Sequence, residues 1–212
     1  ASVVNALSER LRVDVRRDGH IFKMEYARGK PTGEMAVIGD SPEHGTTVSF
    51  LPDRKIFAQL DYDYDTLVQR FRQMAYLNKG LTIEFTSPWH KAKGEANYQD
   101  TFHFERGIVS YVQEFLNHDR DVVHQEPIHI EKTVDDVTIE VALQYNTGCS
   151  ELTYSFANCI YPPDGGTHLT GFRSALTRVL NDYARKQKIL KENDANLSGE
   201  DVREGLVAVV SV

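Results

Sequence analysis

Apolar residues at the start of the chain recur at helical spacing, at Val3, Val4, Leu7 and Leu11, which predicts a short amphipathic helix from Ser2. The period then changes. Leu11, Val13 and Val15 alternate with polar residues as far as Arg17, the two-residue period of a half-buried strand. Asp18-Gly19 follows as a hairpin turn, because glycine takes positive φ without a Cβ clash, and Ile21 to Tyr26 is the expected return strand. Gly45 to Phe50 reads as another strand, stopped by Pro52. A long helix is predicted from Asp61 to Asn78, with Leu67, Phe71, Met74 and Leu77 as its buried stripe and Lys79-Gly80 as its stop. Strand patterns at Leu81 to Phe85 and Phe102 to Phe104 flank a polar loop, Ser87 to Asp100, that holds the single Trp.

The pattern resets near Arg106-Gly107, and a new helix runs from Ile108 to Leu116. Ile128 to Ile130, Val137 to Tyr145 and Leu152 to Ile160 predict a meander of strands. A Pro- and Gly-rich loop ending at Gly166 leads into the longest helix, Leu169 to Gln187, with an apolar stripe at Phe172, Leu176, Val179, Leu180 and Tyr183. Ser198-Gly199-Glu200-Asp201 has the form of an N-cap with acidic residues in the first turn. Gly205 ends that short helix, and Leu206 to Val212 is a closing apolar strand. Helices and strands mix without regular βαβ alternation, so the expected class is α+β.

Composition narrows the function classes. The 212 residues carry a formal net charge of -7, which excludes a uniformly basic nucleic-acid coat and confines any such contact to a local patch. No apolar run is long enough to cross a membrane as a helix, and the first residues do not read as a signal peptide. Cys149 and Cys159 lack CxxC spacing and are expected as buried thiols in a reducing compartment. The chain begins at Ala1 inside a helical pattern and ends at Val212 inside a strand pattern, so truncation at both ends is expected.

No P-loop, HExxH or GxSxG is present. His103 and His129 lie in alternating strands and are expected as surface or core partners, and Asp61, Asp63 and Asp65 as acidic residues at a helix start. Gly165-Gly166 before a helix allows close backbone approach, as a tight connection or at an anion. The long helix concentrates Arg173, Arg178, Arg185 and Lys186, followed by Lys188 and Lys191, with Asp182 as the opposing charge. Such a one-sign face is either solvated or a contact for a phosphate backbone.

Asp164 to Lys186 (DGGTHLTGFRSALTRVLNDYARK) and Leu197 to Val212 (LSGEDVREGLVAVVSV) resemble signature segments of the gyrase B family. Ala1 to Ser8 (ASVVNALS) is similar to the family's segment after its glycine-rich ATP lid, and Gly45 to Val48 (GTTV) and Phe71 to Gly80 (FRQMAYLNKG) match in the same order. The resemblance implies two domains. Residues 1–106 would be the C-terminal part of a GHKL (Bergerat) ATPase domain, and residues 107–212 a transducer domain resembling ribosomal protein S5 domain 2. Residue by residue, Thr46 matches a threonine supporting the adenine pocket and Val48 would line it. Ala1 and Ser2 would follow the lid glycines that wrap the phosphates. Arg17 matches a pocket-rim arginine associated with aminocoumarin inhibitors, and Arg173 a transducer arginine facing DNA.

The resemblance further implies ATP and Mg2+ as ligands, ATP-dependent dimerisation, DNA and a gyrase A-type subunit as partners, and a cytoplasmic location. The family's catalytic Glu, Mg-binding Asn and adenine-reading Asp would precede Ala1, and its γ-phosphate lysine would follow Val212. No catalytic residue and no metal ligand is therefore expected in this chain, which should be silent alone. Arg106, Cys159 and the long Ser87 to Asp100 loop depart from the usual pattern. The alternatives are a topoisomerase IV B-type subunit and a stand-alone S5-like nucleic-acid-binding module.

Overall fold

A computed structural model describes residues 2–212, so the expectation for Ala1 lies outside the described residues. The chain divides into two compact units, one ending at Asp63 and the other running from Tyr64 to Val212.

The first unit opens with α1 (Ser2–Ala6) and β1 (Ser8–Arg17). Asp18 and Gly19 both take positive φ, at 54° and 82°, and this turn delivers β2 (His20–Ala27) antiparallel to β1 with Arg17 opposite His20. The short β3 (Lys30–Pro31) and β4 (Ala36–Asp40) both pair with β2, and β5 (Gly45–Pro52) pairs with the other edge of β1. β3 and β4 carry no alternating pattern and were not legible as strands. Val37 and Ile38 are largely exposed there, so pairing with the β2 edge rather than burial makes the strand.

In the second unit α2 (Tyr64–Leu77) starts three residues later than expected, and its buried face is rotated. Tyr64, Val68, Ala75 and Tyr76 are buried, whereas Met74 is 44% exposed. Tyr64, Val68 and Ala75 face the hairpin of β6 (Thr82–Thr86) and β7 (Gln99–His103) through Phe102. Aromatic stacking sets the rest, because Tyr76 lies 3.6 Å from the Phe104 ring and 4.7 Å from Tyr111. The expected polar loop holds a helix, α3 (Pro88–Ala92), capped by Ser87.

Gly107 precedes α4 (Ile108–Ser110), which widens at once into a π-helix over Tyr111–Leu116. Because Tyr76 and Phe104 join the core cluster of this helix, residues 64–106 share a core with residues 108–116. The junction expected at 106–107 falls inside the second unit, and the contact division comes at Asp63.

The last sheet is not a meander. β8 (Ile128–Val134) and β9 (Val137–Tyr145) form a hairpin, but the strand order is β10-β11-β9-β8, with β10 (Leu152–Phe156) parallel to β11 (Leu206–Ser211). The crossover between them consists of α5 (Gly166–Lys186) and α6 (Gly199–Arg203), so one βαβ unit is present after all. The continuous apolar run of β11 follows from its central place. Val207 and Val209 pack in the cluster with Val112 and Phe156, while Leu206, Ala208 and Val210 pack toward Phe172 and Leu176 of α5. Val179 and Tyr183, expected in the buried stripe of α5, are each 56% exposed; Asn181 and Ala184 take their place.

Gly205 has φ +69°, and a Cβ there would run into the Asn146 carbonyl oxygen, so only glycine fits between α6 and β11. Cys149 is exposed in the turn after β9, contrary to expectation, because that segment is a bend and not strand. Cys159 is half-buried, with its Sγ 3.5 Å from the Asn78 amide.

Candidate functional site

The first unit presents a two-sided sheet. Leu11, Val13 and Val15 of β1 stand opposite Tyr26, Met24 and Phe22 of β2 and opposite Phe50, Val48 and Thr46 of β5. Residues directly opposite share a face, so these nine side chains form one apolar side. The other side is polar: Arg12 Nε donates to Asp14 at 2.9 Å, Lys23 Nζ meets Glu25 at 3.1 Å and Arg16 Nη2 donates to Thr47 Oγ1 at 3.1 Å. Val48 and Phe50 are about half exposed, so the apolar side stands open along β5.

Thr46 and Val48 sit on this apolar side two residues apart, and Arg17 ends the same face of β1 two residues beyond Val15. The Arg17 guanidinium is largely exposed at the hairpin rim, 3.2 Å from Asp18. These three expected site residues therefore share one face, Thr46 and Val48 on the edge strand β5 and Arg17 at the hairpin end of its neighbour β1. Ser2 does not join them. Val4 of its helix and Leu7 just after it lie with Phe50 and Pro52 around a cavity of about 260 Å3. Ser8 pairs with Pro52 and Val15 with Thr46, so α1 precedes β1 at the opposite end of about 23 Å of strand.

In the second unit Arg173 projects from α5 into an ion-pair triad. Its Nε and Nη2 donate to Glu151 Oε1 at 2.9 and 2.8 Å, and Arg203 of α6 donates from Nε to Glu151 Oε2 at 2.9 Å. Burial alone would push the Glu151 carboxyl up, but hydrogen bonds from Thr153, Arg173 and Arg203 outweigh it and hold the group below its ordinary range. Arg173, Arg178 and Arg203 line an open cavity of about 530 Å3 along α5. Arg185 does different work. It donates to the carbonyl oxygens of Lys191 and Asp194 and to Asn196 Oδ1, clamping the segment between α5 and α6.

Glu151 and Arg203 were invisible as functional residues in the sequence. Glu151 lies 22 positions from Arg173 and 52 from Arg203, and the βαβ crossover brings them together. Donor atoms of His129, Glu131 and Glu140 lie within 4.8 Å of one another, and His129 is already paired with Glu140 at 2.9 Å. That group of three His, Cys, Asp or Glu donors, the one found among the described residues, belongs to the second unit, so none surrounds Thr46 and Val48. No helix among the described residues is long and apolar enough to cross a membrane.

Comparison with known proteins gives consistent matches. The family described as DNA gyrase B matches residues 107–212. The DNA gyrase B protein of Clostridium acetobutylicum is 54% identical over the whole chain, which spans 32% of that protein. The DNA gyrase B protein of Bacillus mycoides is 50% identical, with 51% of its length covered. Among solved structures, the 43K ATPase domain of Thermus thermophilus gyrase B in complex with an aminocoumarin aligns over 100% of this chain and 56% of its own, with TM-score 0.84 and 37% identity. The topoisomerase IV ATP-binding domain of Francisella tularensis aligns with TM-score 0.79 and 27% identity over 99% of this chain and 55% of its own.

Proposed function

We propose, since this chain belongs to the DNA gyrase B family, that it forms part of the ATP-driven subunit of a type IIA topoisomerase that supercoils DNA with a gyrase A-type partner. The chain spans 32% of the length of the Clostridium acetobutylicum relative and 51% of the Bacillus mycoides one. In this reading, residues 1–106 contribute to a GHKL ATPase domain that binds ATP, and residues 107–212, which the family match covers, form an S5-like transducer. Relatives named as gyrase B proteins at 49–54% identity favour gyrase over topoisomerase IV.

The observation that carries the reading is the alignment of Thr46, Val48 and Arg17 along one open apolar sheet face. A flat apolar floor with the Thr46 hydroxyl beside Val48 suits an adenine ring, and an arginine at its rim suits an inhibitor or phosphate beside it. Ser2, at the far end of β1 from Thr46, is left out of this site, and Ala1 lies outside the described residues. The family resemblance matches its catalytic Glu and its Mg-binding Asn to no position of this chain, and on that ground we expect the chain to hydrolyse no ATP alone.

Arg173 is the proposed DNA contact. In the full-length protein with its partner, Arg173→Ala should lower DNA-stimulated ATPase and leave basal ATPase intact. The slope of log affinity against log salt should fall in magnitude by about one, for one lost phosphate contact. Lys186→Ala, in the last turn of the same helix, is the comparison. Unchanged stimulation and slope in Arg173→Ala would leave the helix as a solvated face.

A further inference from the structure

A cavity of about 400 Å3 opens in the second unit between α2, the π-helix and β10, away from both sites described above. Its floor is aromatic: Tyr111 stacks on Tyr76 at 4.7 Å with an interplanar angle of 3°, and Tyr154 stacks on Tyr111 at 6.1 Å. Arg70 and Arg72 flank its mouth. At about 100° per residue they stand about 160° apart on α2, with Gln69, Gln73 and Tyr76 between them.

The arginines are set apart by their partners. Among the described residues, the partly buried Arg16, Arg173 and Arg203 each pair with a carboxylate, and Arg185 binds carbonyl oxygens. Arg72 instead lies over two rings, 5.5 Å from Phe102 and 5.6 Å from Phe115. Arg70 donates to Gln73 Oε1 at 3.0 Å, and Gln73 Nε2 donates to the Tyr111 hydroxyl at 3.2 Å. That relay orients Arg70 and leaves the Tyr111 proton available to a ligand. Burial pushes the Tyr111 phenol up and the Tyr76 phenol up to about 12, so both keep their protons at neutral pH. No Asp or Glu lines the cavity, so it offers donors without an anion of its own.

We propose that this cavity binds a small amphipathic organic anion, with a carboxylate or phosphate head on a planar apolar body. The head meets the Arg70 guanidinium on the side of the Tyr111 hydroxyl, where a planar charged donor matches a carboxylate or phosphate, and Arg72 adds positive charge from the other part of the lining. The body rests against the ring edges of Tyr154 and Phe115, since the size and the mixed lining exceed what a lone inorganic ion needs.

The test is an equilibrium titration of the full-length polypeptide, with its nucleotide site saturated by a non-hydrolysable ATP analogue. The probes are 1-naphthyl phosphate, 1-naphthoate, neutral 1-naphthol and inorganic phosphate. Saturable binding of either naphthyl anion, at least about tenfold tighter than of naphthol or inorganic phosphate, is expected. Arg70→Gln should weaken that binding about tenfold without moving Tm, because Arg70 is exposed and hydrogen-bonds the exposed end of Gln73 rather than a core group. Arg72→Gln gives a second arm, read alongside its Tm because that residue also packs on two rings. The two naphthyl anions tell which head is preferred. Naphthol binding equal to naphthyl phosphate, inorganic phosphate binding equal to naphthyl phosphate, no saturation by either anion, or full affinity in Arg70→Gln would each overturn the proposal.

Discussion

Glu151 shows what a single residue settles. One carboxylate accepts from Thr153, Arg173 and Arg203, so a residue with no sequence signal fixes the orientation of the arginine that carries the DNA proposal. Its carboxyl is held below the ordinary value of 4.5, so its contribution is fully present above the unfolded value and is lost as pH falls through the folded one. Glu151→Gln should therefore lower unfolding free energy by about 2 kcal/mol at neutral pH, the range for hydrogen bonds to a charged group. The gap between variant and wild type should narrow as pH falls below the unfolded value and close once it has passed below the depressed folded value, where both side chains are neutral. Urea unfolding across pH measures this, and a gap independent of pH would mean the triad contributes through packing alone. Arg185, on the same helix, is a poor surrogate for Arg173, because its guanidinium is consumed by loop carbonyls.

At the scale of elements, α2 was legible as a helix and its stripe in part, since Phe71 and Leu77 pack against the cores while Met74 is exposed. Leu67, Phe71, Met74 and Leu77 fit an apolar stripe, but Tyr64, Val68, Ala75 and Tyr76 turn inward because Phe102 and the Phe104–Tyr76–Tyr111 stack lie on that side. Aromatic rings bury more area than the methionine they displace. Met74→Gln should thus change stability by no more than about 0.5 kcal/mol, as at other exposed sites, whereas Ala75→Leu should cost about 1–3 kcal/mol by overpacking a site with 0% exposure. Thermal unfolding of the two variants distinguishes the phases, and the reverse ranking would restore the stripe read from sequence.

For the whole molecule, the division at Asp63 bears on stability and processing. Residues 53–63 connect β5 to α2 without regular structure and carry the exposed Arg54 and Lys55. Limited trypsin digestion should cut there first and release a resistant product containing Tyr64–Val212, because exposed connecting backbone is where proteases nick. First cleavage near Arg106 would instead favour the junction expected from the sequence. The segment Ser87 to Asp100 should resist longer than its polar composition suggests, since Ser87 caps α3 and Lys91 lies 5.0 Å over the Tyr98 ring.

By itself the sequence determined what is local: the Asp18-Gly19 hairpin, the N-cap at Ser198, the stop at Gly205, the long basic helix and the α+β class. Each depends on neighbouring φ/ψ preferences or on one period along the chain. Its motifs also carried the family resemblance. Only the tertiary structure decided which apolar runs meet. It set β11 between β9 and β10, turned α2 toward Phe102, exposed Tyr183 and Val179, and bound Arg173 to Glu151. Those pairings join residues tens of positions apart, and periodicity within one segment holds no information about which distant segment will cover it.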